Sequence, residues 1–174
     1  MKTEKTLLII VILSSLLKIL HIPGGSVLLI FSLLGLALCY FPFGFYFFSD
    51  KNLKTQKIGI SLVFGWLLSI CIVGILFKLM FWPGSGMMLL IGSLTAAILL
   101  VVSFMLFQNS TPELKNYHKN LLTRTLVLFV VSFVCLVLPN SILINHYYSN
   151  EPELKELYLK QQENPEDENI QKEI

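Results

Sequence analysis

Acidic residues are missing where this chain is most hydrophobic. No aspartate or glutamate occurs in residues 6–48, 58–107 or 121–148. Carboxylates for general acid–base chemistry are therefore absent from those stretches. The sequence also has no HExxH, no glycine-rich phosphate loop, and no Ser, His and Asp that can be placed together. We expect no enzymatic activity, no cofactor and no metal centre. Cysteine is scarce, and Cys39, Cys71 and Cys135 each sit inside an apolar run without CxxC spacing. Such thiols behave as small hydrophobes, which argues against a disulfide framework or a zinc site. Charge of either sign is thin, at 14% of residues, against about 25% in soluble domains.

What fills the space is apolar. Hydrophobic residues make up 55% of the 174, and the mean hydropathy is +0.72, values that belong to an integral membrane protein. The net charge of +2 conceals a segregation. Eight acids and three lysines follow Tyr148, leaving ten basic against three acidic residues before it. The basic charge is scattered over loops between apolar runs, so nucleic acid is excluded as a partner and the lipid bilayer is the expected one.

Read in order, the chain predicts five membrane spans: about 6–22, 25–41, 58–81, 85–107 and 121–144. The first follows Met1-Lys2-Thr3-Glu4-Lys5, which imitates a signal peptide. No small-x-small cleavage site follows, and Lys18 interrupts the run, so this helix is expected to be retained. Leu36-Ala37-Leu38-Cys39 is a poor lipoprotein box, because Leu38 is too large before the cysteine. Pro42 and Gly44 are expected to break the second helix within a girdle of aromatics, Tyr40 to Phe48. Residues 49–57 form a polar loop, and 108–120 another, where Thr111-Pro112-Glu113 reads as a helix start. Pro139 lies near the end of the fifth span. The acidic tail, 149–174, is expected to form a helix over 150–162 and to be disordered beyond Pro165. The organisation is thus a first hairpin (1–48), a loop, a second hairpin (58–107), a loop, a fifth span (121–148) and the tail.

Two stretches set the pattern: Lys18-Ile19-Leu20-His21-Ile22-Pro23-Gly24 and Lys78-Leu79-Met80-Phe81-Trp82-Pro83-Gly84. They lie 60 residues apart and share a Lys-x4-Pro-Gly frame. Proline cannot continue the preceding helix, and glycine supplies the positive φ of a tight reversal. Pro23, Gly24, Pro83 and Gly84 are therefore read as hairpin turns. Because both hairpins start on the same side, the duplication is parallel. The fold class is all-α: a polytopic membrane protein of two repeated hairpins plus one further span. The lysines of the N-terminus and of the two long loops share one face with Arg124. The excess of positive charge on cytoplasmic loops places that face, and the N-terminus, in the cytoplasm of a bacterial inner membrane. The two turns and the tail then face the periplasm.

The candidate functional residues are Lys18, His21 and Lys78. Each lysine lies in the last turn of its helix, within reach of the headgroups, where it can snorkel and favour free carbonyls. The alternative is an ion path, in which Lys18, His21 and Lys78 line a conduit at the repeat interface. Trp82 is read as an interface anchor. Ser61, Gly65 and Ser69 on the third span, and Gly92 and Ala96 on the fourth, recur at four-residue spacing. Small residues so spaced let helix backbones approach, which makes them packing positions.

The stretch Phe77 to Gly84, followed by Met88-Leu89-Leu90-Ile91-Gly92, resembles the N-terminal membrane hairpin of the gliding-motility motor family GldL. That family has a Lys-x-Met-His-Trp-Pro-Gly turn and a Leu-Ile-Gly stretch soon after. The resemblance covers about residues 7–38 and 67–105, with His21 supplying the histidine that Phe81 replaces. It implies hairpins that surround a partner, GldM, and proton flow that drives type IX secretion and gliding. Lys18 and Lys78 match the family's lysine. The family's intramembrane glutamate falls on Leu36 and Ala96, which argues against motor work. The expected function is a scaffold or interaction protein, packing its hairpins against its own kind or another membrane protein. Proton, ion or small-solute conduction is the alternative.

Overall fold

A computed structural model describes residues 2–48, 57–164, 167, 170 and 173. The 49–56 loop and all but three of the residues beyond Pro165, where disorder was expected, lie outside the described residues, as do the side chains of Pro42, of Phe43 and of Phe45 to Phe48. Seven helices are found among the described residues: α1 (Lys2–Ile19), α2 (Gly25–Phe48), α3 (Ile58–Leu79), α4 (Ser85–Gln108), α5 (Lys115–Val137), α6 (Asn140–Tyr147) and α7 (Pro152–Glu163). No strand occurs among these residues.

Among the described residues, three helices, α3, α4 and α5, are long and apolar enough to cross a membrane, where the sequence led us to expect five. For α1 the reason is charge: it carries Lys2, Glu4, Lys5 and Lys18 within its 18 residues. Helix α2 is apolar over Gly25–Phe41 among the described residues. Three boundaries also differ from expectation. Helix α2 runs on through Pro42 and Gly44 to Phe48, because Gly44 is buried against Gly65 of α3 and that contact needs the helical backbone there. Helix α5 begins at Lys115, after a turn in which the Leu114 amide donates to the Thr111 carbonyl. The turn takes the place of the helix start read at Pro112. Pro139 separates α6 from α5, since it cannot donate to the ladder.

Helices α1 to α5 pack as consecutive neighbours, and α3 touches α2, α4 and α5. Its apolar window is 56% buried, against 33% for α4 and 28% for α5, so α3 is the central element. Leu68, Cys71, Ile72 and Leu76 of α3 are almost fully covered, and they meet Leu29 and Leu36 of α2, Leu89 of α4 and Leu121 of α5. Phe31, Leu38, Leu94 and Val101 point outward. An apolar rim of this extent suits lipid tails and not water. The three cysteines are free.

Candidate functional site

Both turns are built the same way. After α1, the His21 amide donates to the Lys18 carbonyl (3.1 Å) and the Ile22 amide to the Leu17 carbonyl (2.9 Å). After α3, the Phe81 amide donates to Lys78 (3.3 Å) and the Trp82 amide to Phe77 (3.0 Å). This pair of bonds closes the last carbonyls of a helix and requires a left-handed residue just past its end. His21 (φ 58°) and Phe81 (φ 57°) occupy that position. Glycine is the usual choice, because a Cβ there crowds the following carbonyl. The chain resumes through Pro23 and Gly24 (φ 89°) or Pro83 and Gly84 (φ 77°). All four of these turn residues are exposed. The strain at Phe81 is offset by packing: its ring lies 5.9 Å from that of Tyr147, 6.0 Å from Tyr148 and 5.8 Å from Tyr158. His21 instead uses Nε2, 2.9 Å from the His146 carbonyl. Trp82 stands edge-on to Phe77 at 5.0 Å.

Lys18 does not reach out to solvent. It is buried, and its ammonium donates to the carbonyl of Leu79, the last residue of α3. It also sits 4.8 Å from the Tyr147 ring and 5.4 Å from that of Phe81. A free helix-end carbonyl, the negative end of the α3 dipole and two aromatic faces all favour a cation there. The lysine of the first turn thus caps the helix that leads into the second. Lys78 is buried in the last turn of α3 itself. Lys18 and His21 line one hollow of about 190 Å³ beside the first turn, together with Tyr147 and Glu151. Lys78 is not part of that wall.

The packing residues are split between two faces. Gly65 meets α2, where a Cβ would lie 2.5 Å from the Tyr40 carbonyl oxygen and 3.0 Å from the Gly44 Cα. Ser61 hydrogen-bonds the Tyr117 hydroxyl of α5 at 2.8 Å, while the Ser69 hydroxyl returns to the Trp66 carbonyl. On the α4 side, Gly92 rests on Cys71, with Cβ-to-Cα room of only 2.8 Å, and Ala96 is buried.

One buried cluster escaped the sequence reading. Glu4 receives two hydrogen bonds from Arg124, Nε to Oε1 at 2.7 Å and Nη2 to Oε2 at 2.8 Å, and one from the Tyr40 hydroxyl at 2.9 Å. It joins α1, α2 and α5. Glu4 precedes the apolar run that begins at Thr6. Burial alone would raise its carboxyl pKa, but the Arg124 guanidinium and the Tyr40 hydroxyl outweigh that and hold it below the ordinary value. The sequence offered little sign of this, because Glu4 and Arg124 are 120 residues apart. Among the described residues, no three His, Cys, Asp or Glu come together as a metal site.

No curated protein and no solved structure matches the chain. A family model does: the GldL N-terminal domain matches residues 63–124, which take in most of α3, all of α4 and the start of α5. The Lys78-to-Gly84 turn and Ala96 fall inside that segment. The second hairpin, continued into the fifth helix, is thus the part of this helical membrane protein that matches the GldL N-terminal domain.

Proposed function

We propose that this protein is a membrane scaffold of GldL type, with five spans, a cytoplasmic N-terminus and outward-facing turns, in a bacterial inner membrane. Its two hairpins, taken here as a parallel duplication, are packed into one body that presents apolar faces to other membrane helices. The supporting observation is the state of Lys18. A cation on an ion path must exchange ions or protons with water, whereas Lys18 is held by a carbonyl and two rings of neighbouring elements. That is the behaviour of a structural link between hairpins. The similarity of residues 63–124 to GldL also suggests a partner among the membrane proteins of gliding or type IX secretion.

Photo-crosslinkers placed at the outward-facing Phe31 or Leu94 test this in native membranes. The scaffold reading expects discrete protein adducts, either a dimer of this chain or one partner. Lipid adducts alone would remove it.

Conduction is the second reading, favoured by the hollow that Lys18 and His21 share at the first turn. Proteoliposomes separate the two. Conduction expects a proton or ion flux that falls in Lys18→Ala, and the scaffold expects no flux in either protein.

A further inference from the structure

His118 takes no part in the turns or the buried ion pair, yet it is held in a definite way. Only 3% of it is exposed. Its Nδ1 lies 2.8 Å from the Ser110 hydroxyl. Ser110 could instead donate to the Thr111 carbonyl, but that contact is longer, at 3.4 Å. With Ser110 donating to Nδ1, the ring proton resides on Nε2, which becomes a donor. Nε2 is buried and has no hydrogen-bond partner. A buried donor of this kind is costly unless something accepts from it.

The imidazole forms part of the wall of a pocket of about 460 Å³ where the end of α4 meets the start of α5. Lys57 and Thr111 bring a positive charge and a hydroxyl to the same wall. Asn109 adds an amide, and Val102, Met105, Leu106 and Leu114 make up the apolar remainder. Val102 and Met105 are also exposed on the outer surface of α4, so the apolar wall continues onto the face turned toward lipid. The pocket is therefore polar and cationic at its loop end and oily along the helix, at the membrane boundary.

We propose that this pocket binds the phosphate of an anionic membrane lipid. Lys57 supplies charge, Nε2–H of His118 and the Thr111 hydroxyl supply hydrogen bonds, and an acyl chain follows Val102 and Met105. Free phosphate would share the polar contacts but leave the apolar wall unused, which is why the lipid is the better fit.

The test is native mass spectrometry of the full chain in detergent, titrated with phosphatidylglycerol, phosphatidylcholine or inorganic phosphate. The wild type is expected to retain phosphatidylglycerol in preference to phosphatidylcholine, with millimolar inorganic phosphate displacing little of it. Two isosteres separate ligand binding from a structural role. Asparagine can keep the Ser110 bond but offers nothing at Nε2, whereas glutamine places an amide donor near Nε2. His118→Asn and Lys57→Gln should each weaken phosphatidylglycerol retention by about tenfold, the usual weight of a hydrogen bond to a charged group. His118→Gln should retain most of it. A purely structural histidine would give the reverse order, with His118→Asn binding like the wild type. That result, or equal retention of the two lipids, overturns the proposal. Inorganic phosphate competing as well as the lipid would overturn the lipid assignment.

Discussion

Two side chains hold left-handed backbone at equivalent places and use opposite means to do so. His21 is exposed and tied by one hydrogen bond, whereas Phe81 is 5% exposed and surrounded by tyrosines. Replacement by glycine relieves about 1–2 kcal/mol of left-handed strain at either site. His21→Gly should therefore leave stability within about 1 kcal/mol of the wild type, since an exposed hydrogen bond contributes a similar amount. Phe81→Gly removes a buried aromatic ring and should cost about 2 kcal/mol net. Thermal unfolding in one detergent compares the two, and equal effects would contradict the packing account. Glu4 is the other decisive residue. Glu4→Gln leaves Arg124 without its bidentate acceptor and should cost about 2 kcal/mol, less than for a fully buried pair because Arg124 is partly exposed. The carboxyl pKa is depressed on folding, so its contribution is present above the ordinary value of 4.5 and is lost as pH falls through the folded one. An acid titration of stability should show this loss in the wild type and a flatter curve in Glu4→Gln.

At the scale of helices, glycines decide where backbones cross. A Cβ on Gly65 would meet the Tyr40 carbonyl at 2.5 Å, and backbone atoms cannot swing aside. Gly65→Ala should therefore push α2 from α3 and cost about 1–3 kcal/mol, the usual range for overpacking. Gly59 lies in open space on the same helix, so Gly59→Ala should cost nothing measurable. Parallel melts of the two variants decide the point. The four-residue spacing of Ser61, Gly65 and Ser69 identified a packing stripe, but a stripe does not state which neighbour it faces. Gly65 turned out to serve α2, because Gly44 lies opposite it there. For the same reason Pro42 and Gly44 gave a misleading sign of a helix end: the helix continues where a neighbour makes it worthwhile. The turn at Ser110 to Leu114 misled in the other direction, since Pro112 suits a first helical turn and a tight loop equally well.

For the molecule as a whole, the proposed arrangement crosses the membrane five times, and labelling from either side tests it. A five-span arrangement places Gly86 and Ser149 outside and Asn109 inside. Single cysteines at those positions, in a protein whose own three cysteines are replaced, should be labelled by a membrane-impermeant maleimide from the outer side for Gly86→Cys and Ser149→Cys only. Labelling of Asn109→Cys from outside would invert or break the arrangement. Among the described residues, three helices satisfy the length and composition needed to span. Helix α1 departs from that rule because charges sit near both its ends.

The sequence by itself determined the class of this protein. Long runs without acids, thin overall charge and the Lys-x4-Pro-Gly frames dictate helices in a membrane and sharp turns between them, since these follow from local backbone chemistry and hydropathy. The frame at Lys78 to Gly84 also carried the likeness to GldL, which the match over residues 63–124 bears out for the second hairpin. Only the tertiary structure decided what the charged groups are for. Lys18 serves a helix 61 residues away, and Glu4 serves an arginine 120 residues away. Such pairings depend on which helices lie side by side, and periodicity along one helix carries no record of its neighbours.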